Sequence, residues 1–275
     1  MIDDKTPNKK LREIASELRF DVIELCYQSK SAHLASSLSC VDILVAAFWS
    51  GLEIDTLPSS SLKRDHLILS KGHAAMALYA VLAKRGVISR EELLSYNQDG
   101  GKLAEHPPVN TIPYIDAATG SLGHGLSIGA GIALSKKMQG IGSKVVVVLS
   151  DGENNEGSTW EAAMFASGKN LKNLYVIIDA NGWQATDRTK DVLNIDNLEN
   201  KWAAFGWNAV SVDGHDPNAL SAVLSKNCNK QVPTAIVANT IKGKGISFME
   251  DDNNWHYRVP TEKELEICKM ELGIK

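Results

Sequence analysis

The 275-residue chain has few cysteines and no strong excess of charge, and each shortage excludes a class of protein. Its four cysteines are scattered without CxxC spacing, at Cys26, Cys40, Cys228 and Cys268. This spacing argues against a disulfide framework or a zinc site and predicts buried, reduced thiols. A net charge of -4 provides no general attraction to nucleic acid or to an anionic membrane surface.

A targeting segment is also lacking. The first 21 residues are charged and contain no apolar core typical of a signal peptide. No apolar run stands out as long enough to span a bilayer. With 44% apolar and 23% charged residues, the composition is that of an ordinary globular protein. We therefore expect a cytoplasmic protein with neither a nucleic-acid nor a membrane partner.

Short apolar runs alternate with helical patterns along most of the chain. The predicted strands cover residues 66–70, 144–150, 173–180, 209–213 and 234–240. The run 144–150 is almost continuously β-branched, as in strands buried on both faces of a parallel sheet. The alternation predicts one α/β domain over residues 1–275, with a mainly parallel sheet and helices on both faces. Ligands of such sheets bind at the carboxyl ends of the strands.

Two polar residues follow neighbouring strands of this predicted sheet. Asp151 comes directly after one strand and Asn181 after the next, with 28 residues (153–180) between Gly152 and Asn181. Carboxylate and amide oxygens are hard ligands that suit Mg²⁺ or Ca²⁺, which also bind phosphate oxygens. Gly152 leaves space for a diphosphate to approach the backbone. Either residue alone is an ordinary turn residue, but together they predict a cation–diphosphate site.

This arrangement resembles the thiamine diphosphate motif, and the run DGENNEGSTWEAAMFA resembles its transketolase branch. Four more stretches agree in order and spacing, namely SKSAHLASSLSCVDIL, RDHLILSKGHAAMALYAVLAKRG, EHPPVNTIPYIDAATGSLGHGLSIGAGIAL and IKGKGISFMEDDNNWH. The resemblance extends from about residue 10 to about residue 260. It implies a thiamine diphosphate-binding fold and a transferase that moves a two-carbon ketol unit between sugars.

The resemblance also implies a set of cofactor contacts. The side chains of Asp151 and Asn181 and the backbone carbonyl of Trp183 would hold Mg²⁺ (or Ca²⁺ or Mn²⁺), which binds the diphosphate. Thiamine diphosphate would supply the chemistry through its ylid. Further cofactor contacts are implied for His73, Gly120, Ser121, Leu122, Gly152, Glu153, Lys242 and His256. For Lys242 an exposed loop lysine is an equally good interpretation.

Four of the seven histidines match histidines that are catalytic in the family. The resemblance places His73 beside the diphosphate and the reaction centre, and His256 in contact with diphosphate and substrate. His33 and His106 match histidines that contact sugar hydroxyls. Histidine can donate and accept protons near neutral pH, as chemistry at a ketol carbonyl requires.

The other histidines and one tyrosine carry less information. His66 and His215 are interpreted as structural. His124 stands where many relatives have glutamine, and Tyr257 follows His256 where glycine is frequent. SAHLA likewise replaces the more usual Ser-Gly-His-Pro-Gly, and Ser150 replaces a common glycine before Asp151. Because three of these four departures border the sugar site and none removes a metal ligand, they leave the sugar, rather than the cofactor, unassigned.

Glu156 and Glu161 have two interpretations. Five residues apart on a helix, they point about 140° from one another. They could be an N-terminal helix glutamate, stabilised by the helix dipole, and a surface glutamate. In transketolases, however, the matching glutamates lie at the dimer interface between two cofactors. There they would share protons, and their pKa values would be raised.

A transketolase has three domains, and this chain resembles only the first. We therefore expect the N-terminal subunit of a split transketolase, without a second or third domain. It would assemble as two copies with two of a separate C-terminal subunit, act on sugars or sugar phosphates, and be inactive alone. Two alternatives stay open: the α subunit of a 2-oxoacid dehydrogenase or half of a deoxyxylulose phosphate synthase, and a non-catalytic binding protein on the same fold.

Overall fold

The computed structural model describes residues 8–54, 56–225 and 231–274. Three of the four cysteines fall in these ranges and are buried and unpaired: Cys26, Cys40 and Cys268. Burial raises the pKa of each of these thiols to about 12. The prediction of buried, reduced thiols is confirmed for these three, while Cys228 lies outside the described residues.

Five strands form one parallel sheet in the described part of the chain. They are β1 (His66–Leu69), β2 (Val145–Ser150), β3 (Leu174–Ala180), β4 (Asn208–Asp213) and β5 (Thr234–Asn239). Their order across the sheet is β1-β2-β3-β5-β4, and every neighbouring pair is parallel. The predicted strands and the predicted mainly parallel sheet are thus confirmed.

Eleven α-helices flank the sheet within the described ranges. They are α1 (Asn8–Ser29), α2 (Leu34–Ser39), α3 (Val41–Ala46), α4 (Ala75–Lys84), α5 (Arg90–Leu94), α6 (Gly125–Met138), α7 (Gly157–Gly168), α8 (Thr189–Val192), α9 (Leu198–Ala204), α10 (Pro217–Ser225) and α11 (Glu262–Glu271). No helix was predicted for α2, α5, α8 or α9, and in α2 all six residues are buried and show no amphipathic period. The stretch CVDILVAAFW forms α3 followed by a π-helical turn over Ala47–Gly51.

The stretch Leu34–Gly51 corrects the expectation about apolar runs. By length and composition it could cross a membrane. In the structure 94% of this stretch is buried inside the protein. A buried core helix satisfies the same criteria of length and composition, so the match is weak grounds for a membrane span.

The sheet separates two apolar layers. Val146 and Val148 of β2 belong to the layer that includes residues of α1, α2, α3, α4, α10 and α11. Val145 and Val147 belong to the opposite layer, which includes residues of α6, α7 and α9. Helices therefore cover both faces, as predicted. Because the strands are parallel, the carboxyl ends of β2 and β3 lie side by side, with Ser150 paired with Asp179.

Candidate active site

The Asp151 carboxylate joins the ends of β2 and β3. It is buried and accepts hydrogen bonds from the backbone N–H groups of Gly152 (2.8 Å) and Gly182 (2.7 Å). The hydroxyl of Thr189 donates a third, at 3.1 Å. Burial and then the nearby Asp179 carboxylate raise the pKa of Asp151 to about 6. A bound cation would relieve this repulsion and favour the ionised form.

Asn181 lies in the turn that follows β3. Its side chain is buried, and its Oδ1 accepts a hydrogen bond from the Trp183 N–H at 3.0 Å. Gly182 between them has φ 77°, a conformation that favours glycine. We call Asp151, Asn181 and Trp183 the metal-ligand turn. Among the described residues no three His, Cys, Asp or Glu side chains cluster to hold a metal, so a cation here would depend on one carboxylate plus neutral oxygens.

Beneath the metal-ligand turn lies an ion pair that sequence reasoning missed. Lys71 and Asp179 are fully buried and paired, and Lys71 also donates to the Ser36 carbonyl at 2.9 Å. Burial alone would lower the pKa of Lys71, but the Asp179 carboxylate outweighs it and raises this pKa. Asp179 also accepts hydrogen bonds from the hydroxyls of Ser39 and Thr240. The position of Asp179 at the end of an apolar strand was the signal in the sequence that could have identified it as part of the site.

Lys242 is a buried cation, which excludes the alternative of an exposed loop lysine. Only 1% of the residue is exposed, and its Nζ lies 3.0 Å from His256 Nδ1 and 3.4 Å from the Gln184 carbonyl. Nζ also donates to the side chain of Asn253. Within the described ranges Lys242 forms no ion pair with a carboxylate. Burial and then the charge of Lys71 lower the pKa of Lys242 to about 8.

Four segments bring together the histidines predicted to be catalytic. The ring centroid of His33 lies 5.4 Å from that of His73, 6.1 Å from that of His106 and 5.0 Å from that of His256. The backbone N–H of His33 donates to the His256 carbonyl at 2.6 Å. We call these four residues the histidine cluster. Their convergence agrees with the prediction that they act at one site.

Burial and neighbouring charge keep three of these rings neutral. The pKa of His73 lies well below its usual range because of burial and then Lys71. Burial and then Lys242 lower the pKa of His256 to about 3. Burial also lowers the pKa of His33, although the Glu105 carboxylate opposes this shift. A neutral imidazole can accept a proton on one nitrogen while it donates from the other.

The predicted loop of Gly120, Ser121 and Leu122 borders the histidine cluster through its backbone. A Cβ on Gly120, which has φ 141°, would lie 2.6 Å from Cδ2 of the His106 ring. A Cβ on Gly72 would lie 2.7 Å from the Gly120 nitrogen. Because both positions lack a side chain, the loop can pack between His106 and the turn that carries His73.

Glu153, predicted to contact the cofactor, has its carboxylate inside the protein. The side chain is fully buried, pairs with the Ser70 hydroxyl and accepts a hydrogen bond from the Gly123 N–H at 2.8 Å. Burial raises the pKa of this carboxyl. The side chain therefore fixes the glycine loop onto the end of β2, and direct contact of Glu153 with the cofactor stays a prediction.

The rim of the histidine cluster contains two residues to which the sequence assigned no role. Glu105 Oε1 lies 3.2 Å from Nδ1 of His33. Tyr257 is 64% exposed, and its ring centroid lies 4.6 Å from that of His256. His124 lies farther out on the surface, with its Nδ1 3.1 Å from the Leu122 carbonyl. Glu105 and Tyr257 therefore border the histidine cluster.

Glu156 directly precedes α7, with an extended backbone rather than the predicted helical one, and Glu161 lies within α7. Both are exposed, and neither carboxylate forms a hydrogen bond or ion pair with the described part of this chain. The neighbouring side chains of Met164 and Phe165 are also exposed, by 56% and 42%. The predicted role of the two glutamates at an interface is untested by a single chain and stays a prediction.

The groups at the strand ends fit a metal-bound diphosphate. A Cβ on Gly152 would lie 2.8 Å from Cγ of Gln184, so only glycine leaves this space open. Gln184 Nε2 is buried without a hydrogen-bond partner among the described residues. It and the Lys242 ammonium are donors that phosphate oxygens could satisfy. The oxygens of the metal-ligand turn are hard ligands for the cation.

The parallel sheet and the polar groups at its strand ends fit the class of α/β proteins that bind a diphosphate cofactor. Comparison with known families makes this specific: residues 10–275 match the family described as "Transketolase, thiamine diphosphate binding domain". The chain belongs to this family.

The chain matches relatives of about its own length and also relatives that are more than twice as long. It is 36% identical to a subunit of "Apulose-4-phosphate transketolase" from Phocaeicola vulgatus, over 95% of this chain and 93% of the relative. It is 39% identical to a subunit of "6-deoxy-6-sulfo-D-fructose transketolase" from a Clostridium species, over 87% and 88%. The crystal structure of Campylobacter jejuni transketolase superposes with a TM-score of 0.92 at 28% identity, over 98% of this chain but 44% of that one.

Proposed function

We propose that this chain is the cofactor-binding subunit of a two-subunit transketolase. The enzyme moves a two-carbon ketol unit from a ketose (phosphate) to an aldose (phosphate), as part of carbohydrate metabolism. One observation carries the proposal: the buried Lys242 ammonium lacks a carboxylate partner among the described residues and adjoins His256 of the histidine cluster. Such a cation is stabilised by an anionic ligand, and a diphosphate is one that this family binds.

The metal-ligand turn would anchor the cofactor. The side-chain oxygens of Asp151 and Asn181 and the Trp183 carbonyl would hold Mg²⁺, with Ca²⁺ or Mn²⁺ as substitutes. Lys242 and Gln184 would donate hydrogen bonds to the diphosphate oxygens. When bound, thiamine diphosphate supplies the nucleophilic carbon and the electron sink that ketol transfer requires.

The histidine cluster would act on the sugar. His33 and His106 lie on the side nearer to Glu105 and would hold hydroxyl groups of the substrate. His73 and His256 lie nearer to the buried lysines and would hold or move a proton at the substrate oxygen next to the diphosphate. Neutral rings suit these roles because they can both donate and accept.

A second subunit would complete the site. Two relatives that this chain covers almost completely are named as transketolase subunits, which supports a separate C-terminal partner. That partner would contribute the groups that activate the aminopyrimidine ring, in an assembly of two copies of each chain. The two relatives are named for different sugars, so the proposal extends only to the class of ketose and aldose. A cytoplasmic location is part of the same proposal.

Reconstitution tests this function. The purified chain should show no ketol transfer from hydroxypyruvate to an aldose, with Mg²⁺ and thiamine diphosphate present. Titration with the C-terminal partner should restore activity and saturate near equal stoichiometry. Turnover by the chain alone, or none at any ratio with a partner that binds it, would contradict the proposal.

The alternatives left open by the sequence have no comparable support. The family that matches is transketolase rather than the 2-oxoacid dehydrogenases or deoxyxylulose phosphate synthases. For a non-catalytic binding protein on this fold, the convergence of the four histidines would need a separate explanation. The same hydroxypyruvate assay distinguishes each alternative from ketol transfer.

A further inference from the structure

His215, interpreted from the sequence as structural, belongs to a triad of Arg19, Asp42 and His215. Arg19 pairs with Oδ2 of Asp42, and His215 Nδ1 lies 2.7 Å from the same oxygen. Both the arginine and the aspartate are buried, and the histidine side chain is 14% exposed. Burial would raise the pKa of Asp42, but the Arg19 charge and then the His215 hydrogen bond outweigh it and lower this pKa. Asp42 is therefore an ionised carboxylate.

The two outer members of the triad hold the backbone on either side of Lys242. The N–H of Ile241 donates to Nε2 of His215 at 2.9 Å. Arg19 Nε donates to the carbonyl of Lys244 at 3.0 Å. One buried carboxylate thus fixes both groups that hold the segment 241–244.

The hydrogen bonds also define the tautomer of His215. Because the Ile241 N–H donates to Nε2, that nitrogen has no proton and Nδ1 carries it. The Nδ1–H then donates to Asp42. The carboxylate orients the imidazole so that its free lone pair faces the backbone N–H of Ile241, in the manner of a carboxylate that orients a ligating histidine.

Two glycines allow the segment to approach the triad. Gly245 has φ 101°, and a Cβ there would lie 2.7 Å from Cδ of Arg19. Gly243 has φ 77°, and a Cβ there would overlap the Met249 carbonyl. The backbone N–H of Gly243 donates to the Ala35 carbonyl at 3.0 Å. The two glycines of the Lys-Gly-Lys-Gly sequence are therefore needed for this path of the backbone.

We propose that the Arg19–Asp42–His215 triad positions Lys242 and thereby sets the affinity of the site for a diphosphate anion. This inference rests on the proposed function, because it assigns Lys242 to the diphosphate. A lysine side chain is long and flexible, so its ammonium is held at one place only if its backbone is fixed. His215 is a positioning residue, since it contacts the segment that carries Lys242 rather than the ligand.

A second triad of the same residue types provides a matched control. Arg64 pairs with Asp116, and His66 Nδ1 lies 2.8 Å from Asp116 Oδ2. His66 is the first residue of β1 and therefore lies at the end of the sheet opposite the site. Its Nε2 has no hydrogen-bond partner among the described residues, so this triad does not use the histidine to hold a backbone segment.

The test compares His215→Asn with His66→Asn in the full chain. Asparagine retains a donor toward the aspartate but is too short to accept from Ile241 N–H as well. Binding of inorganic pyrophosphate with saturating Mg²⁺ is measured by calorimetry. We expect His215→Asn to weaken pyrophosphate binding roughly tenfold. The reason is that the Ile241 N–H loses its acceptor, so the segment that carries Lys242 is no longer held in one place. His66→Asn should weaken it less than about twofold, which is the usual effect of a change remote from a site.

A double-mutant cycle separates positioning from general damage. In a Lys242→Ala background His215→Asn should have no further effect on pyrophosphate affinity, because the residue through which it acts is gone. An equal loss in both backgrounds, or an equal loss with His66→Asn, would overturn the positioning role. If Lys242→Ala itself left pyrophosphate affinity unchanged, the assignment of Lys242 in the proposed function would fail instead. If Lys242→Ala weakened binding and His215→Asn did not, only the positioning role would fail.

Discussion

The metal-ligand turn and the histidine cluster form one site but are held in place differently. Asp151 accepts two backbone hydrogen bonds directly at the ends of two buried strands. The histidines come from four separate segments, and His33 Nδ1 lacks a well-oriented hydrogen bond within the described residues. Under the proposed function, anchoring of the cofactor would depend on the sheet, whereas contact with the sugar would depend on loops. Loops can change between relatives without damage to the sheet.

Two departures from the family pattern lie in the second region, whereas Ser150, where the family commonly has glycine, directly precedes Asp151. The oxygens of the metal-ligand turn match the family, whereas SAHLA and Tyr257 lie at the histidine cluster. Glu105 adds a carboxylate beside His33. We therefore expect the two regions to respond differently to substitution, with cofactor affinity lost in one and sugar turnover in the other.

The largest effect should come from the metal-ligand turn. Asp151→Ala or Asn181→Ala removes an oxygen ligand of a hard cation and should abolish retention of thiamine diphosphate by the assembled enzyme. Calorimetry at saturating Mg²⁺ measures this, with His106→Asn as the control that should retain the cofactor. Unchanged affinity in both variants would refute the assignment of the turn.

A smaller effect is expected in the histidine cluster. His106→Asn should lower kcat/KM for the donor sugar about tenfold, the loss expected when one hydrogen bond to a substrate hydroxyl is removed. Cofactor affinity should change little, because the contacts described for His106 are with His33 and Gly120 rather than with the metal-ligand turn or Lys242. Steady-state kinetics and cofactor binding are measured on the same preparation. A variant that loses cofactor and activity in proportion would erase the distinction between the two regions.

The neutral histidines predict a loss of stability in acid. The pKa of His256 is about 3 in the folded chain, while an unfolded histidine titrates near about 6.5. The unfolded chain therefore binds more protons below about pH 6.5, so the contribution of His256 is fully present above that pH and falls toward pH 3. The slope from this residue is at most about 1.4 kcal/mol per pH unit.

Urea unfolding at pH 7.5 and pH 5 measures this slope. His256→Gln, which cannot take up the proton, should lose less stability over the same interval than the wild-type chain. Equal losses in the two proteins would show that His256 titrates alike in the folded and unfolded chains. The metal-ligand turn is left unchanged by this substitution, so the comparison isolates the histidine cluster.

Assembly should respond more weakly. Glu156→Gln and Glu161→Gln should leave folding intact but weaken association of the subunits or slow cofactor activation, if the two carboxylates share protons at an interface. Sedimentation and activation kinetics around neutral pH measure these effects. Wild-type behaviour of both variants in both measurements would identify ordinary surface glutamates.

The smallest effect should come from the rim. Tyr257→Gly restores the residue frequent in the family and should shift the ratio of kcat/KM values between two sugars by less than about tenfold. Cofactor affinity should be unchanged, because the ring is largely exposed. A series of aldoses at fixed donor concentration measures the shift. Identical sugar preference would remove Tyr257 from the determinants of specificity.

Regular elements with a strong local signal could be predicted from the sequence. The strand β2 was predicted because its residues are mostly β-branched. All six of them are buried in the structure. Asp151 and Asn181 were found because each follows such a strand. The helix α2 was missed, since burial on all sides removes the alternation that marks a helix.

Long-range pairing of charges could not be predicted. Lys71 and Asp179 are 108 residues apart, and nothing near either one indicates a partner. The burial of Lys242 likewise depends on contacts with segments that fold over it. Local patterns therefore indicate where a ligand binds, whereas the charges that support the site emerge only when distant segments meet.

The strand order has a consequence for the growing chain on the ribosome. In the described sheet β4 has one neighbour, β5, which lies between it and β3. Since β4 is synthesised before β5, its backbone N–H and C=O groups have no sheet partner when it emerges. An unpaired strand edge is prone to intermolecular association, so nascent chains are vulnerable to aggregation in this interval. A pause in translation between the codons for Asp213 and Thr234 would prolong that exposure.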